Sequence, residues 1–154
     1  MKYIHILIAT TFGAGFSPVA PGTAGAIVGG AFLWLFHQLE WFPTYPNPLL
    51  FVVLILVVAL LGIYATNKLE QEWGKDPSKV VVDELVGVWI AMVFVPFSWL
   101  NLLLAFGLFR FFDIAKPLGV RKMEQFKGGL GVMADDVLAG IYANLALQLI
   151  LLFI

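Results

Sequence analysis

Apolar residues in this chain come in long runs rather than in alternation with polar ones. Five runs stand out, at 24–42, 49–66, 85–97, 100–112 and 137–154. The first, second and fifth approach the ~20 residues a membrane-spanning helix needs. The third and fourth hold thirteen residues each, about 20 Å of helix at 1.5 Å per residue. They are expected to be short spans, tilted neighbours or a re-entrant hairpin. The stretch "VPFSW" supplies their turn, because Pro96 restricts the residue before it. The pattern predicts an all-α, polytopic membrane helical bundle of about five segments. A single domain over 1–154 is expected, with a Gly/Pro-rich loop near its N-terminus. There is no internal repeat and no low-complexity tract.

Composition sharpens this picture. Of 154 residues, 61% are hydrophobic and 12% charged, an extreme balance for a soluble domain. A net charge of −1 gives no reason to expect nucleic acid. Cysteine is absent, which excludes disulfides, Cys-ligated metals and a thiol nucleophile. The opening "MKYIHILIA" has a lysine ahead of an apolar run. The run is short, is interrupted by His5 and precedes no clear small-residue cleavage signal, so it is not expected to be a cleaved leader.

The placement of charge predicts sidedness. The connections "FPTYPNP" and 96–101 carry no Lys or Arg. All nine cations (Lys2, Lys68, Lys75, Lys79, Arg110, Lys116, Arg121, Lys122 and Lys127) fall on the opposite side. That side is expected to be cytoplasmic, with the C-terminus outside. Nine of the ten acids lie at or near it, Glu40 being the exception.

Five of those acids meet three apolar segments at one depth. Asp83 and Glu84 open the third, Asp113 closes the fourth, and Asp135 and Asp136 open the fifth. Acids at a helix start suit its dipole, worth about 0.3–1 kcal/mol each, and Asp83 or Asp135 could serve as an N-cap. Asp113, at a helix end, has no such explanation; a bound divalent cation supplies one. A carboxylate deep in a bilayer costs ~2.5–3.5 kcal/mol on insertion scales and less near the interface, so five at one edge point to a shared task. Gly87 and Ala91 follow Asp83 at helical spacing, Ala139 and Ala143 follow Asp135, and Gly140 follows Asp136. Small residues on those faces let helices approach and would bring the acids together. Oxygen-only donors, with no Cys and no paired His, favour Mg²⁺ over Zn²⁺. His5 and His37 stand alone and are expected to be non-catalytic.

On the same side, "FGAGFSPVAPGTAGA" leads into the first segment. Thr23 is placed as an N-cap with Gly22 before it, and such a helix start can bind phosphate. The loop lacks the GK[ST] of a P-loop, and a re-entrant turn is its plainer reading. Lys116 could neutralise phosphate or snorkel, and Asn67 could donate to a phosphate oxygen. "FKGGLG" reads as a flexible turn before Asp135 that admits a headgroup, while Lys122 and Lys127 suit attraction to anionic lipid. On these grounds alone an enzyme, an ion-coupled transporter or divalent-cation channel, and a scaffold with helix-capping acids are all open.

The motifs "GFSPVAPGTAG", "VVVDELVG", "FRFFDIAKP" and "GGLGVMADDVLAG" resemble, in order and spacing, those of the bacterial phosphatidylglycerophosphatase A family. The similarity covers nearly the whole chain. Ala26 after "GTAG" and Leu118-Gly119 after "KP" depart from the family's usual residues. The resemblance implies a Mg²⁺-dependent phosphatase of the bacterial inner membrane, its active site facing the cytoplasm. Its substrate would be the phospholipid phosphatidylglycerophosphate, and its products phosphatidylglycerol and inorganic phosphate. Asp83, Asp135 and Asp136 would coordinate Mg²⁺, with Glu84 and Asp113 completing the shell or acting as base. Lys116, Asn67, Gly22 and Thr23 would hold phosphate oxygens. Attack by water and passage through an aspartyl-phosphate both fit that residue set. A transport site is expected near the bilayer midplane between broken helices, whereas these acids gather at one edge.

Overall fold

The computed structural model describes residues 1–41 and 48–154. Among them there are six α-helices and no strand, in keeping with the all-α expectation. The helices are α1 (Lys2–Ala9), α2 (Pro21–Gln38), α3 (Pro48–Trp73), α4 (Val82–Ala91), α5 (Trp99–Ala115) and α6 (Gly128–Leu151). Two 3-10 turns, Ala14–Phe16 and Arg121–Gln125, lie in the connections before α2 and before α6. Most of "FPTYPNP", including the expected end of the first segment at Phe42, lies outside the described residues.

The apolar runs locate five of these helices and miss their ends. The eight residues of α1 fall outside the five apolar runs. This helix lies along the end of α3, with Lys2 Nζ 2.9 Å from Glu72 Oε1 and His5 edge-on to Tyr64. The chain then turns back, and Val81 N–H donates to the Ala9 carbonyl at 2.8 Å.

α3 continues seven residues past Thr66 through a polar stretch that hydropathy alone does not include. α6 begins nine residues before Val137, so "GGLG" is its first turn and not a flexible hinge. The Gly129 N–H there donates to Asn67 Oδ1 of α3 at 2.7 Å, satisfying one of the donors a helix start leaves open. α4 stops at Ala91, six residues before the expected end of its segment. Asn144 of α6 explains the stop: its Nδ2 donates to the Ala91 and Val93 carbonyls at 3.0 and 2.7 Å. Phe94 follows with a positive φ of 63°.

Among the described residues two helices, α3 and α6, are long and apolar enough to cross a membrane. At ten residues, α4 is about 15 Å long and reaches only about half of a ~30 Å hydrocarbon core. It is instead the central element. Val82, Asp83, Leu85, Val86, Gly87, Val88, Trp89 and Ala91 are all buried, as befits a helix apolar on every side. Trp89 packs against Phe32, Phe36 and Phe51, and its indole N–H donates to the Gly29 carbonyl at 2.9 Å. α6 crosses α4 closely: a Cβ on Gly140 would sit 2.7 Å from the Gly87 carbonyl oxygen, and Ala91, Ala139 and Ala143 are fully buried. The seam of small residues therefore sets the first acidic helix against the last.

Candidate active site

Three helix segments carry the acids to one place. Asp83 and Glu84 occupy the first turn of α4. Asp113 lies in the last turn of α5, and Asp135 and Asp136 lie in α6. Carboxylate oxygens of Asp83, Asp135 and Asp136 lie within 4.8 Å of one another, and so do those of Glu84, Asp113 and Asp136. Asp136 belongs to both groups and is only 1% exposed.

Local structure decides which of these acids a helix end can explain. Asp83 and Glu84 sit where the α4 dipole favours negative charge. Neither Asp83 nor Asp135 is an N-cap, however. The caps are Val81 for α4 and Lys127 for α6. Because α6 starts at Gly128, Asp135 and Asp136 lie two turns inside it, and its first turn holds no acid. Beyond the first turn the dipole's effect has fallen away, so these two aspartates need another partner.

Basic residues supply part of it. Lys116 Nζ lies 2.6 Å from Asp135 Oδ2, 3.3 Å from Glu124 Oε1 and 3.6 Å from Asp113 Oδ1. Arg110 Nη1 donates to Asp113 Oδ2. Asp113 thus has a partner that its position at a helix end had not suggested, and no cation is needed to account for it alone. Lys116 ends α5 in a left-handed conformation, φ 51°, which turns its side chain back to the acids. Its partial burial alone would lower its pKa. The hydrogen bond to Asp135 and the charges of Asp135, Asp113 and Asp136 outweigh that and hold it well above the ordinary lysine value.

What remains unpaired is the most informative feature. Asp83 Oδ1, Glu84 Oε2 and Asp136 Oδ2 are buried with no hydrogen-bond partner. Burying unpaired carboxylate oxygens is costly unless a cation joins them. The donor set is all oxygen, which suits a hard divalent ion such as Mg²⁺.

The start of α2 abuts this cluster. A Cβ on Gly22 would fall 2.7 Å from Glu84 Oε1 and 3.4 Å from Arg110 Nη1. Thr23 is not the N-cap: Ala20 is, in a left-handed conformation, and Pro21 opens the helix. Proline's preset φ suits the first helical position, which moves the boundary ahead of threonine. Asn67 spends its side-chain oxygen on Gly129 N–H, so holding α6 against α3 is its visible role. His37 stacks on Phe97 at 4.6 Å, in a structural setting like that of His5. A polar cavity of about 260 Å³ joins Asp135 to Lys75, Asp76 and Glu124.

Arg110 and Glu124 are the site residues that sequence reasoning missed. The i, i+3 spacing of Arg110 and Asp113 in "RFFD" could have revealed the first pair. Nothing local marks Glu124, which arrives from a 3-10 turn.

A family model described as Phosphatidylglycerophosphatase A matches residues 7–151. A Bacteroides thetaiotaomicron protein named "Putative phosphatidylinositol-3-phosphatase" is 54% identical, over 92% of this chain and 90% of its own. "Phosphatidylglycerophosphatase A" of Haemophilus influenzae is 41% identical over 91% and 83%. Its Escherichia coli namesake is 31% identical over 88% and 76%. No solved structure matches. With buried acids converging from α4, α5 and α6 and a match over nearly its whole length, this chain belongs to the phosphatidylglycerophosphatase A family and is a phosphatase, a phosphoric monoester hydrolase.

Proposed function

We propose that the protein removes the terminal phosphate of phosphatidylglycerophosphate, releasing phosphatidylglycerol and inorganic phosphate, with Mg²⁺ as cofactor. The observation that carries this reading is the set of three buried, unpartnered carboxylate oxygens on Asp83, Glu84 and Asp136, in a chain of this family. Asp83, Asp135 and Asp136 would hold the ion, with Asp113 beside them. When bound, Mg²⁺ would offset charge on the phosphoryl oxygens and acidify water.

The chain's own residues do the rest. Lys116 and Arg110 orient Asp135 and Asp113 through direct bonds. Glu84 keeps one oxygen free and is the base that takes a proton from the attacking water. As the new phosphorus–oxygen bond forms, the bond to the glycerol oxygen breaks, and that oxygen leaves as the alcohol after taking a proton from solvent. The start of α2 at Gly22 and Thr23, the Asn67 amide and Lys116 are the donors for the remaining phosphate oxygens.

The setting we infer is multi-pass in a bacterial inner membrane, with the acids at the cytoplasmic edge. Two apolar helices support it, as do the lysines and arginines gathered on one side. Exposed leucines on the outer faces of α3, α5 and α6, such as Leu60, Leu103 and Leu145, suit lipid contact.

Phosphate release from phosphatidylglycerophosphate by the purified protein in detergent tests the proposal. Turnover should require Mg²⁺, cease with chelator and return on readdition. Asp136→Asn should lose about 100-fold or more in turnover and should no longer gain thermal stability from Mg²⁺. A normal rate for Asp136→Asn would refute its role. A second reading has one observation in its favour, the name of the Bacteroides relative, which is that of a phosphatidylinositol-3-phosphatase. Phosphatidylinositol 3-phosphate assayed in parallel decides between them, since the preferred lipid will show the higher kcat/KM.

A further inference from the structure

α2 presents two faces built from small residues, and they do opposite things. One closes on α4: a Cβ on Gly25 would lie 2.6 Å from Val81 Cβ, and one on Gly29 would lie 3.1 Å from Leu85 Cα. The neighbouring face looks toward α5 and stays open. A cavity of about 500 Å³ runs there, with Thr23, Gly30 and Trp34 on the α2 side and Trp99, Leu103 and Phe106 on the α5 side. At Gly30 a Cβ would reach van der Waals contact with Leu102, 3.6 Å away, so Leu102 of α5 closes the floor beneath the open walls. The walls open outward, with Ile27 58% and Leu103 68% exposed.

We propose that this groove seats an acyl chain of the lipid substrate and delivers its phosphate end to the acidic cluster. The proposal rests on the lipid-phosphatase reading above and adds where the lipid binds. Continuity identifies the occupant. The groove begins at Thr23, and the preceding Gly22 abuts Glu84 and Arg110. A chain lying in the groove therefore has its polar end beside the carboxylates.

Length agrees with this occupant. From Thr23 to Trp34 the helix rises about 16 Å, roughly half of a ~30 Å hydrocarbon core, which is the depth of one leaflet. The lining is apolar apart from Thr23 at the catalytic end. That lining fits a ligand that is hydrocarbon along its length and polar at its head.

Groove-filling substitutions test this without touching the acids. Ile27→Trp narrows the exposed wall on α2, and Leu103→Trp narrows the one on α5. Each is assayed with dihexanoyl and dipalmitoyl phosphatidylglycerophosphate in mixed micelles. We expect KM for the dipalmitoyl lipid to rise about tenfold, while kcat and the dihexanoyl KM stay within about twofold. Equal effects on both chain lengths, or none on either, in a folded variant would overturn the groove.

Photolabelling of the wild-type protein with acyl-diazirine phosphatidylglycerol gives a readout that needs neither turnover nor a variant. Label concentrated on Ile27 and Leu103, displaced by excess unlabelled phosphatidylglycerol, supports the groove. Label spread evenly over the exposed faces of α3 and α6 rejects it. Absence of phosphate release from either lipid by the wild-type protein would instead sink the functional reading and leave the labelling result to judge the groove.

Discussion

Asp136 and Lys116 do different kinds of work in the same cluster. Asp136 has an orphaned oxygen at 1% exposure, whereas Lys116 has three acidic partners. In the proposed mechanism Lys116 orients Asp135 and also donates to a phosphate oxygen, and its replacement by Met is expected to lower turnover by about tenfold or more, the scale seen when a support of a metal ligand is lost. Because its folded-state pKa lies above the ordinary lysine value, the stabilisation it brings is complete below about pH 10.4. That stabilisation is lost only as pH rises through the higher folded value. The Lys116→Met deficit should therefore be the same factor at every pH from about 6 to 9, as a pair of pH–rate profiles will show. Glu84→Gln keeps the shape and removes the proton acceptor. We expect a fall in kcat of about 100-fold, within the range for general bases, with KM little changed. A fall confined to KM would assign Glu84 to binding instead.

Among elements, α4 and α6 carry the architecture. Their seam depends on Gly140, where a methyl would meet the Gly87 carbonyl at 2.7 Å and Ile90 Cβ at 3.0 Å. Gly140→Ala should destabilise by about 1–3 kcal/mol, the cost of overpacking, and should also displace Asp136 one turn away. Gly107 on α5 is the opposite case: nothing lies within 4 Å of its Cβ position. Gly107→Ala should be neutral or stabilising by up to about 1 kcal/mol through helix propensity. Thermal unfolding of the two variants in one detergent measures the contrast. Asn144 belongs to this scale as well, since it holds the carbonyls that end α4. The apolar run 85–97 gives no hint of that stop, because the residue responsible lies some fifty positions away.

At the scale of the whole molecule, the absence of cysteine makes the proposed topology directly measurable. Lys75→Cys should react with an impermeant maleimide only when the cytoplasmic face is accessible, and Ile154→Cys only from the outer face. Reaction of both from one face would overturn the positive-inside assignment. The helical class and the approximate places of five helices were legible because burying backbone in an apolar setting demands helices over long apolar runs. The polar extension of α3 and the glycine-rich opening of α6 were not, because hydropathy registers side chains, while those residues are held helical by packing and by the bond from Gly129 to Asn67.

The sequence by itself pointed to the five acids, because carboxylates recur at the edges of three apolar runs in one short chain, where each carries a desolvation cost. It also determined the donor chemistry, because a chain with no cysteine and only two separated histidines has little but oxygen to offer a metal. Only the tertiary structure decided how those acids divide. Asp113 and Asp135 are bound to Arg110 and Lys116, while Asp83, Glu84 and Asp136 each keep a buried oxygen free. That division depends on the crossing of α4 over α6 and on the turn after α5. These bring together groups far apart along the chain, and no local periodicity encodes distances of that kind.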